Sequence, residues 1–208
     1  MFHSLLRRRG LYAITNGPRG DLLVAAQAAL EGGATLLQYR DKTEDRKRRL
    51  DEATALAKLC TRFDVPLIVN DDIELTRASG AAGVHLGEDD LSIAQARAAL
   101  GDDAIIGVSC YDSLARARDA AIAGVDYLAF GAFFSSPTKP NTRRATPHLL
   151  RAAREFGKPL VAIGGVTPDN GGGLIAAGAD YLAAISAVFG APNICASARR
   201  FAELFVTT

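Results

Sequence analysis

The sequence predicts an α/β protein, a single-domain (β/α)8 TIM barrel, and three observations carry that expectation. Eight short apolar runs rich in β-forming residues recur along the chain. Segments with helical periodicity separate them. The 208 residues divide into about 26 per strand–helix unit, close to the minimum for eight such units. Strands that are apolar almost throughout belong in a parallel sheet covered by helices. A doubly wound open sheet is the competing arrangement, but units of such even size favour closure.

Taken in order, the strands are expected at LYAIT (11–15), TLLQY (35–39), LIV (67–69) and AGVHL (82–86). They continue at AIIGVS (104–109), YLAFG (127–131), LVAIG (160–164) and YLAAIS (181–186). Between them, Leu149, Ala152, Ala153 and Phe156 repeat at helical spacing, as do Phe201, Leu204 and Phe205. Thr146-Pro147 and Thr167-Pro168 each read as an N-cap followed by proline in the first turn, and Ser92 opens a capping box. The glycine-rich turns EGGAT, ASGAAG and AAGAD close helices before the next strand. No linker divides the chain, so residues 1–208 are read as one domain with residues 1–10 as an N-terminal extension.

Composition narrows the function. A net charge of +1 argues against nucleic acid as the main partner, because phosphate-backbone binders carry an obvious basic excess. Three cysteines (Cys60, Cys110, Cys195) without CxxC spacing fit a reduced, cytoplasmic protein better than a disulfide framework or zinc site. The start, MFHSLLRRRG, lacks the long apolar region of a signal peptide, and no apolar run reaches membrane-spanning length.

Barrels of this kind place their active sites at the C-terminal ends of the strands. There the chain gathers polar residues. Gln38, Arg40 and Lys42 are two apart on strand 2, so an extended backbone points all three to one side. Strand 3 ends in Asn70, Asp71 and Asp72, and strand 4 in Glu88, Asp89 and Asp90. Strand 5 ends in Ser109, strand 6 in Ser135, Ser136, Thr138 and Lys139, strand 7 in Gly164-Gly165, and strand 8 in Ser186. Oxygen ligands without nearby His or Cys suit a hard cation such as Mg²⁺. Small residues after strands 6 to 8 suit a phosphate. Each feature also has a plainer reading. Asp72 and Asp89 are natural helix caps, Ile-Gly-Gly after strand 7 is a tight turn, and the strand 2 series makes an ion-pair network with Asp71 and Asp90.

In order along the chain, GLYAIT, GATLLQYRDK, PLIVNDD, GVHLGEDDL, IGVS, GAFFSSPTK, VAIGGV and AAIS resemble the thiamine phosphate synthase family over about residues 10–190. The resemblance implies a transferase. It would join 4-amino-2-methyl-5-hydroxymethylpyrimidine diphosphate to 4-methyl-5-(2-hydroxyethyl)thiazole phosphate, with release of diphosphate and a Mg²⁺ cofactor. By position it assigns Gln38, Arg40, Lys42, Asn70, Ser109 and Lys139 to the pyrimidine diphosphate, with Arg40, Lys42, Ser109 and Lys139 closest to the chemistry. Asp71 and Asp90 become the metal ligands. Ser136, Thr138, Gly165, Ile185 and Ser186 become the cradle of the thiazole phosphate.

The chain departs from the family pattern at Ser135, where a proline is usual, and at Tyr111, where a histidine is common. A thiazole tautomerase that uses a histidine in that region is one alternative. A barrel that binds phosphorylated metabolites without catalysis is another. Arg143 and Arg144 are either a closing segment or solvated surface charges. The run RKRR (46–49) is expected on the wet face of a helix, and RRR (7–9) on the surface before strand 1. The expected partners are small-molecule substrates. Association with a second copy is left open by the sequence.

Overall fold

The computed structural model describes residue 6 and residues 8–88, 92–134 and 144–206. Eight strands close into a barrel in sequence order: β1 (Gly10–Ile14), β2 (Ala34–Tyr39), β3 (Leu67–Asn70), β4 (Gly83–Leu86), β5 (Ile105–Tyr111), β6 (Tyr127–Phe130), β7 (Leu160–Ile163) and β8 (Tyr181–Ala184). Every neighbouring pair is parallel, and β8 returns to β1 with Gly10 opposite Tyr181 and Ala13 opposite Ala184. All eight expected strands are present, displaced at their ends by one or two residues.

The helices follow as α1 (Leu22–Glu31), α2 (Arg46–Arg62), α3 (Ile73–Ser79), α4 (Ile93–Leu100), α5 (Leu114–Ile122), α6 (Pro147–Ala153), α7 (Gly172–Ala176), α8 (Ser186–Phe189) and α9 (Ile194–Glu203). The Ser92 capping box forms in full: Gln95 N donates to Ser92 Oγ, and Ser92 N donates to Gln95 Oε1. Pro147 opens α6 as expected. At the C-terminus of α3, Gly80 takes φ +71°, a left-handed cap that favours glycine.

Thr167-Pro168 does not start a helix. Thr167 N donates to Asn170 Oδ1, a turn forms over 168–170, and α7 begins only at Gly172. Three consecutive glycines there disfavour helix, and the Asn170 side chain offers the backbone an alternative partner. Strand 8 also stops earlier than expected, and Ser186 opens the extra helix α8.

Alternation along the strands makes two cores. Outward side chains such as Leu11, Leu37, Val69 and Val108 pack with the helices. Inward ones, including Tyr12, Leu36, Ile68, Ile105, Tyr127 and Tyr181, fill the barrel. Gly107 makes room for one of them, because a Cβ there would collide with the ring of Tyr127. Leu6 closes the N-terminal end of the barrel, where its carbonyl accepts a 2.8 Å bond from Tyr181 Oη.

Of the arginines before strand 1, Arg7 lies outside the described residues, and Arg8 and Arg9 are exposed as expected but also tied down. Arg9 donates to Ala179 O (3.1 Å), lies 3.5 Å from Asp180 and sits over the Phe205 ring, while Arg8 donates to Asp64 O. These contacts anchor the segment under the barrel.

Two glycines should respond in opposite directions. Gly107→Ala is expected to destabilise by about 1–3 kcal/mol, because the added methyl displaces Tyr127. Gly173→Ala, in α7 with open space around it, should stabilise by about 0.5–1 kcal/mol. Urea midpoints at unchanged slope test both.

Candidate active site

Strand β2 sends alternate residues to opposite sides, and the two sides carry different chemistry. Tyr39 and Asp41 face α2. Tyr39 Oη donates to Glu52 Oε2 (2.7 Å), and Asp41 Oδ2 accepts from Arg48 Nη1 (2.8 Å). Thr43 adds bonds from its backbone N and its hydroxyl to Asp41 Oδ1. Burial raises the Asp41 carboxyl pKa, but the Arg48 and Thr43 donors outweigh it and hold the group below its ordinary value. Burial and the facing Glu52 carboxylate push the Tyr39 phenol up.

The basic run 46–49 is therefore only partly wet. Arg46 and Lys47 are exposed, but Arg48 binds Asp41 and Glu52, and Arg49 binds Asp72 at 2.9 Å. A carboxylate as buried as Asp41 requires a cation, and α2 supplies it.

Gln38, Arg40 and Lys42 take the other side. Gln38 is buried inside the barrel. Arg40 is half-buried, its backbone N donating to Thr15 Oγ1, and its guanidinium makes no hydrogen bond or ion pair among the described residues. Lys42 Nζ stands 3.1 Å from Asp71 Oδ2.

At the end of β3, Asp71 is held in left-handed backbone (φ +65°), with its N–H donating to His85 O. That conformation is uncommon for a residue other than glycine and is found at functional turns. Lys42 and Asn70 Nδ2 both donate to Asp71 Oδ2, while Oδ1 accepts nothing among the described residues. Asp72 has the plainer role: it caps α3 through Leu75 N and pairs with Arg49. The strand 2 series forms an ion pair with Asp71 only through Lys42. Asp89 and Asp90 lie outside the described residues, as do Ser135, Ser136, Thr138, Lys139 and Arg143.

Gln38 and Ser109 are joined across the barrel by a buried hydrogen-bond chain. Gln38 Nε2 donates to Tyr12 Oη (2.7 Å), which is 2.9 Å from Tyr127 Oη. Tyr127 Oη is 2.9 Å from His85 Nδ1, and His85 Nε2 is 2.9 Å from Ser109 Oγ. The His85 and Tyr127 rings stack, and Tyr12 meets Tyr127 edge-on. Burial pushes both phenols well up, so both stay protonated at neutral pH. Arg116 on α5 holds the β4 and β5 ends together by donating to Gly87 O (2.8 Å) and Ser109 O (2.7 Å).

On the far side, Ile163 of β7 is opposite Ala183 of β8, so Gly165 and Ile185 leave the sheet side by side. The loop after β6 runs along the same edge, with Phe133 N donating to Ile163 O and Phe134 N to Gly164 O. Gly164 has φ +99°, and a Cβ there would strike Ala132. The Ile-Gly-Gly segment is thus a required tight turn. Ser186 opens α8 directly beyond Ile185. The structure brings Gln38, Arg40, Lys42, Asn70, Asp71, Ser109, Gly165, Ile185 and Ser186 to one rim.

A family model described as thiamine monophosphate synthase matches residues 11–188. The chain belongs to this family. A thiamine-phosphate synthase of Methylobacillus flagellatus is 53% identical over 205 residues, covering 98% of each chain. One of Thiobacillus denitrificans is 51% identical over 199 residues, covering 94% of each. A solved thiamine phosphate pyrophosphorylase from Pyrococcus furiosus superposes with a TM-score of 0.88 at 31% identity, covering 98% of each chain. Against the family pattern, Tyr111 stands at a bulge of β5 with φ +54°, and its carbonyl accepts from Gly131 N.

Asp41 makes a pH test of how β2 is held to α2. Its folded pKa lies below the unfolded value near 3.9. Its contribution is therefore complete above that pH and is lost as pH falls through the folded value. Asp41→Asn should cost about 1–3 kcal/mol at pH 7, and its stability should change less than that of the wild type between pH 5 and 2. Urea unfolding across that range checks it.

Proposed function

We propose that this chain is a thiamine-phosphate synthase that joins 4-amino-2-methyl-5-hydroxymethylpyrimidine diphosphate to 4-methyl-5-(2-hydroxyethyl)thiazole phosphate. The carrying observation is the division of the rim in a chain of this family. A buried amide lies at Gln38 and a half-buried hydroxyl at Ser109, cations and a carboxylate lie beside them, and a glycine turn and Ser186 stand opposite.

Gln38 and Ser109 hold the pyrimidine ring, and Asn70 borders it. Arg40 and Lys42, with Lys139, meet the diphosphate. Gly165, Ile185 and Ser186, with Ser136 and Thr138, hold the thiazole phosphate. The bond between the pyrimidine methylene and the diphosphate oxygen breaks first, and its electron pair leaves on diphosphate. Arg40 and Lys42 stabilise that developing charge. The aminopyrimidine ring stabilises the methylene cation, and the thiazole nitrogen then donates its lone pair to form the new C–N bond. The enzyme's share is to orient two rings and keep water from the cation. No group need act as a general base.

A magnesium ion fits the rim. Its ligands would be Asp71 and Asp90, and Asp71 Oδ1 is an oxygen donor without a hydrogen bond among the described residues. When bound it supplies positive charge to the diphosphate oxygens.

Tyr111 in place of a histidine and the rim position of Asp71 favour this reading over the tautomerase. Among the described residues no helix is long and apolar enough to cross a membrane. Cys60, Cys110 and Cys195 are free, and burial raises the first two thiols to about 12. We take the enzyme to be cytoplasmic.

Diphosphate release from the two substrates with Mg²⁺ tests the reading. Release is expected to depend on the thiazole phosphate and to fall by about 100-fold or more in Asp71→Ala. Thiazole phosphate binding without release in the folded wild type would favour a non-catalytic barrel instead.

A further inference from the structure

The chain from Gln38 to Ser109 takes its sense of donation from the Gln38 amide, and that sense bears on what the rim can recognise. An amide nitrogen can only donate, so Tyr12 Oη accepts from Gln38 Nε2. Tyr12 has one proton of its own, and Tyr127 Oη is the partner within reach. In that sense of donation Tyr127 Oη accepts a hydrogen bond from Tyr12 and donates its own hydrogen to His85 Nδ1, 2.9 Å away. His85 Nδ1 is then the acceptor, and the ring's proton on Nε2 is donated to Ser109 Oγ. The hydroxyl proton of Ser109 is not consumed by the chain. At the other end, Gln38 Oε1 accepts no hydrogen bond among the described residues. Nor is it sealed: Arg49 Nε is the one side-chain polar atom both buried and unpaired among the described residues.

We propose that Tyr12, Tyr127 and His85 are positioning residues that give this end of the site a fixed hydrogen-bond polarity, an acceptor from Gln38 and a donor from Ser109. That pair complements a ring edge carrying an amino group and an unprotonated ring nitrogen. It opposes the edge of the corresponding oxo ring, which offers an acceptor and an N–H. The inference rests on the reading that an aminopyrimidine diphosphate meets Gln38 and Ser109. The physical reason for the selectivity is that a buried polar group facing its own kind is left unpaired. Neither tyrosine needs to touch substrate or move a proton, and the neutral phenols transmit only the choice of which atom donates.

The opposite polarity is equally complete on paper: Ser109 to His85 Nε2, His85 Nδ1–H to Tyr127, Tyr127 to Tyr12, and Tyr12 to a reversed Gln38 amide. The test must therefore read direction. In ¹⁵N-histidine spectra of the ligand-free enzyme, with the signal assigned by its loss in His85→Gln, His85 is expected as the neutral Nε2–H tautomer. The Nδ1–H tautomer or an imidazolium overturns the proposal.

The second arm compares the aminopyrimidine diphosphate with its 4-oxo counterpart. The wild type should prefer the amino compound by about 100-fold or more in kcat/KM. In Tyr127→Phe that preference should fall at least about tenfold, with the KM for thiazole phosphate changed less than about twofold. A variant that loses activity equally on both pyrimidines, keeping the preference, overturns the positioning role. Should Tyr127→Phe fail to fold, Tyr12→Phe cuts the chain one link earlier and carries the same expectation. Absence of turnover in the wild type would overturn the substrate reading, while the tautomer still decides the direction of the chain.

Discussion

Closure of the parallel barrel is the constraint from which the rest follows. Once β8 pairs with β1, no sheet edge remains, and every strand residue faces either the helices or the barrel interior. The alternation is then inherited by the residues just past each strand. Gln38, Arg40 and Lys42 go one way because Tyr39 and Asp41 are committed to α2 through Glu52 and Arg48. The rim chemistry depends on the packing chemistry one residue away.

The interior of an eight-stranded barrel is narrow, so a polar group placed there must find its partner across the lumen. Tyr12, Tyr127 and His85 do this on three different strands, and their bonds reach Gln38 and Ser109 at the mouth. Gly107 makes the arrangement possible by yielding its side-chain volume to the Tyr127 ring. Below this layer the barrel is apolar and is closed by Leu6. A stable floor and a polar mouth are thus parts of one packed column.

Charge is divided with the same economy. Carboxylates that hold the scaffold are satisfied: Asp41 by Arg48, Asp72 by a helix N-terminus and Arg49, and Asp126 by Arg97. Asp71 differs, since both its donors among the described residues share one oxygen and its backbone is held in left-handed conformation. Arg40 likewise keeps its guanidinium without an ion pair among the described residues. Groups left with bonding capacity at the rim are the ones available to an anionic ligand.

Much of this was legible in the amino-acid sequence, because periodicity reports which side a residue faces. Eight apolar runs, their even spacing and the polar residues at their ends determined the barrel, its polar rim and the common side of Gln38, Arg40 and Lys42. The motif resemblance determined the family. Other features depended on partners distant in sequence. Nothing local marks Asp72 as a cap bound to Arg49 while Asp71 keeps an oxygen open among the described residues, and the two are neighbours of the same type. Nor does local pattern separate Arg46 and Lys47 from Arg48 and Arg49, since only Asp41 and Asp72 draw the latter inward. His85 reads in sequence as an ordinary strand residue. It became a link between Gln38 and Ser109 only when β1, β4 and β6 were brought around one lumen, because a hydrogen bond needs atoms within about 3 Å and closure alone supplies that proximity.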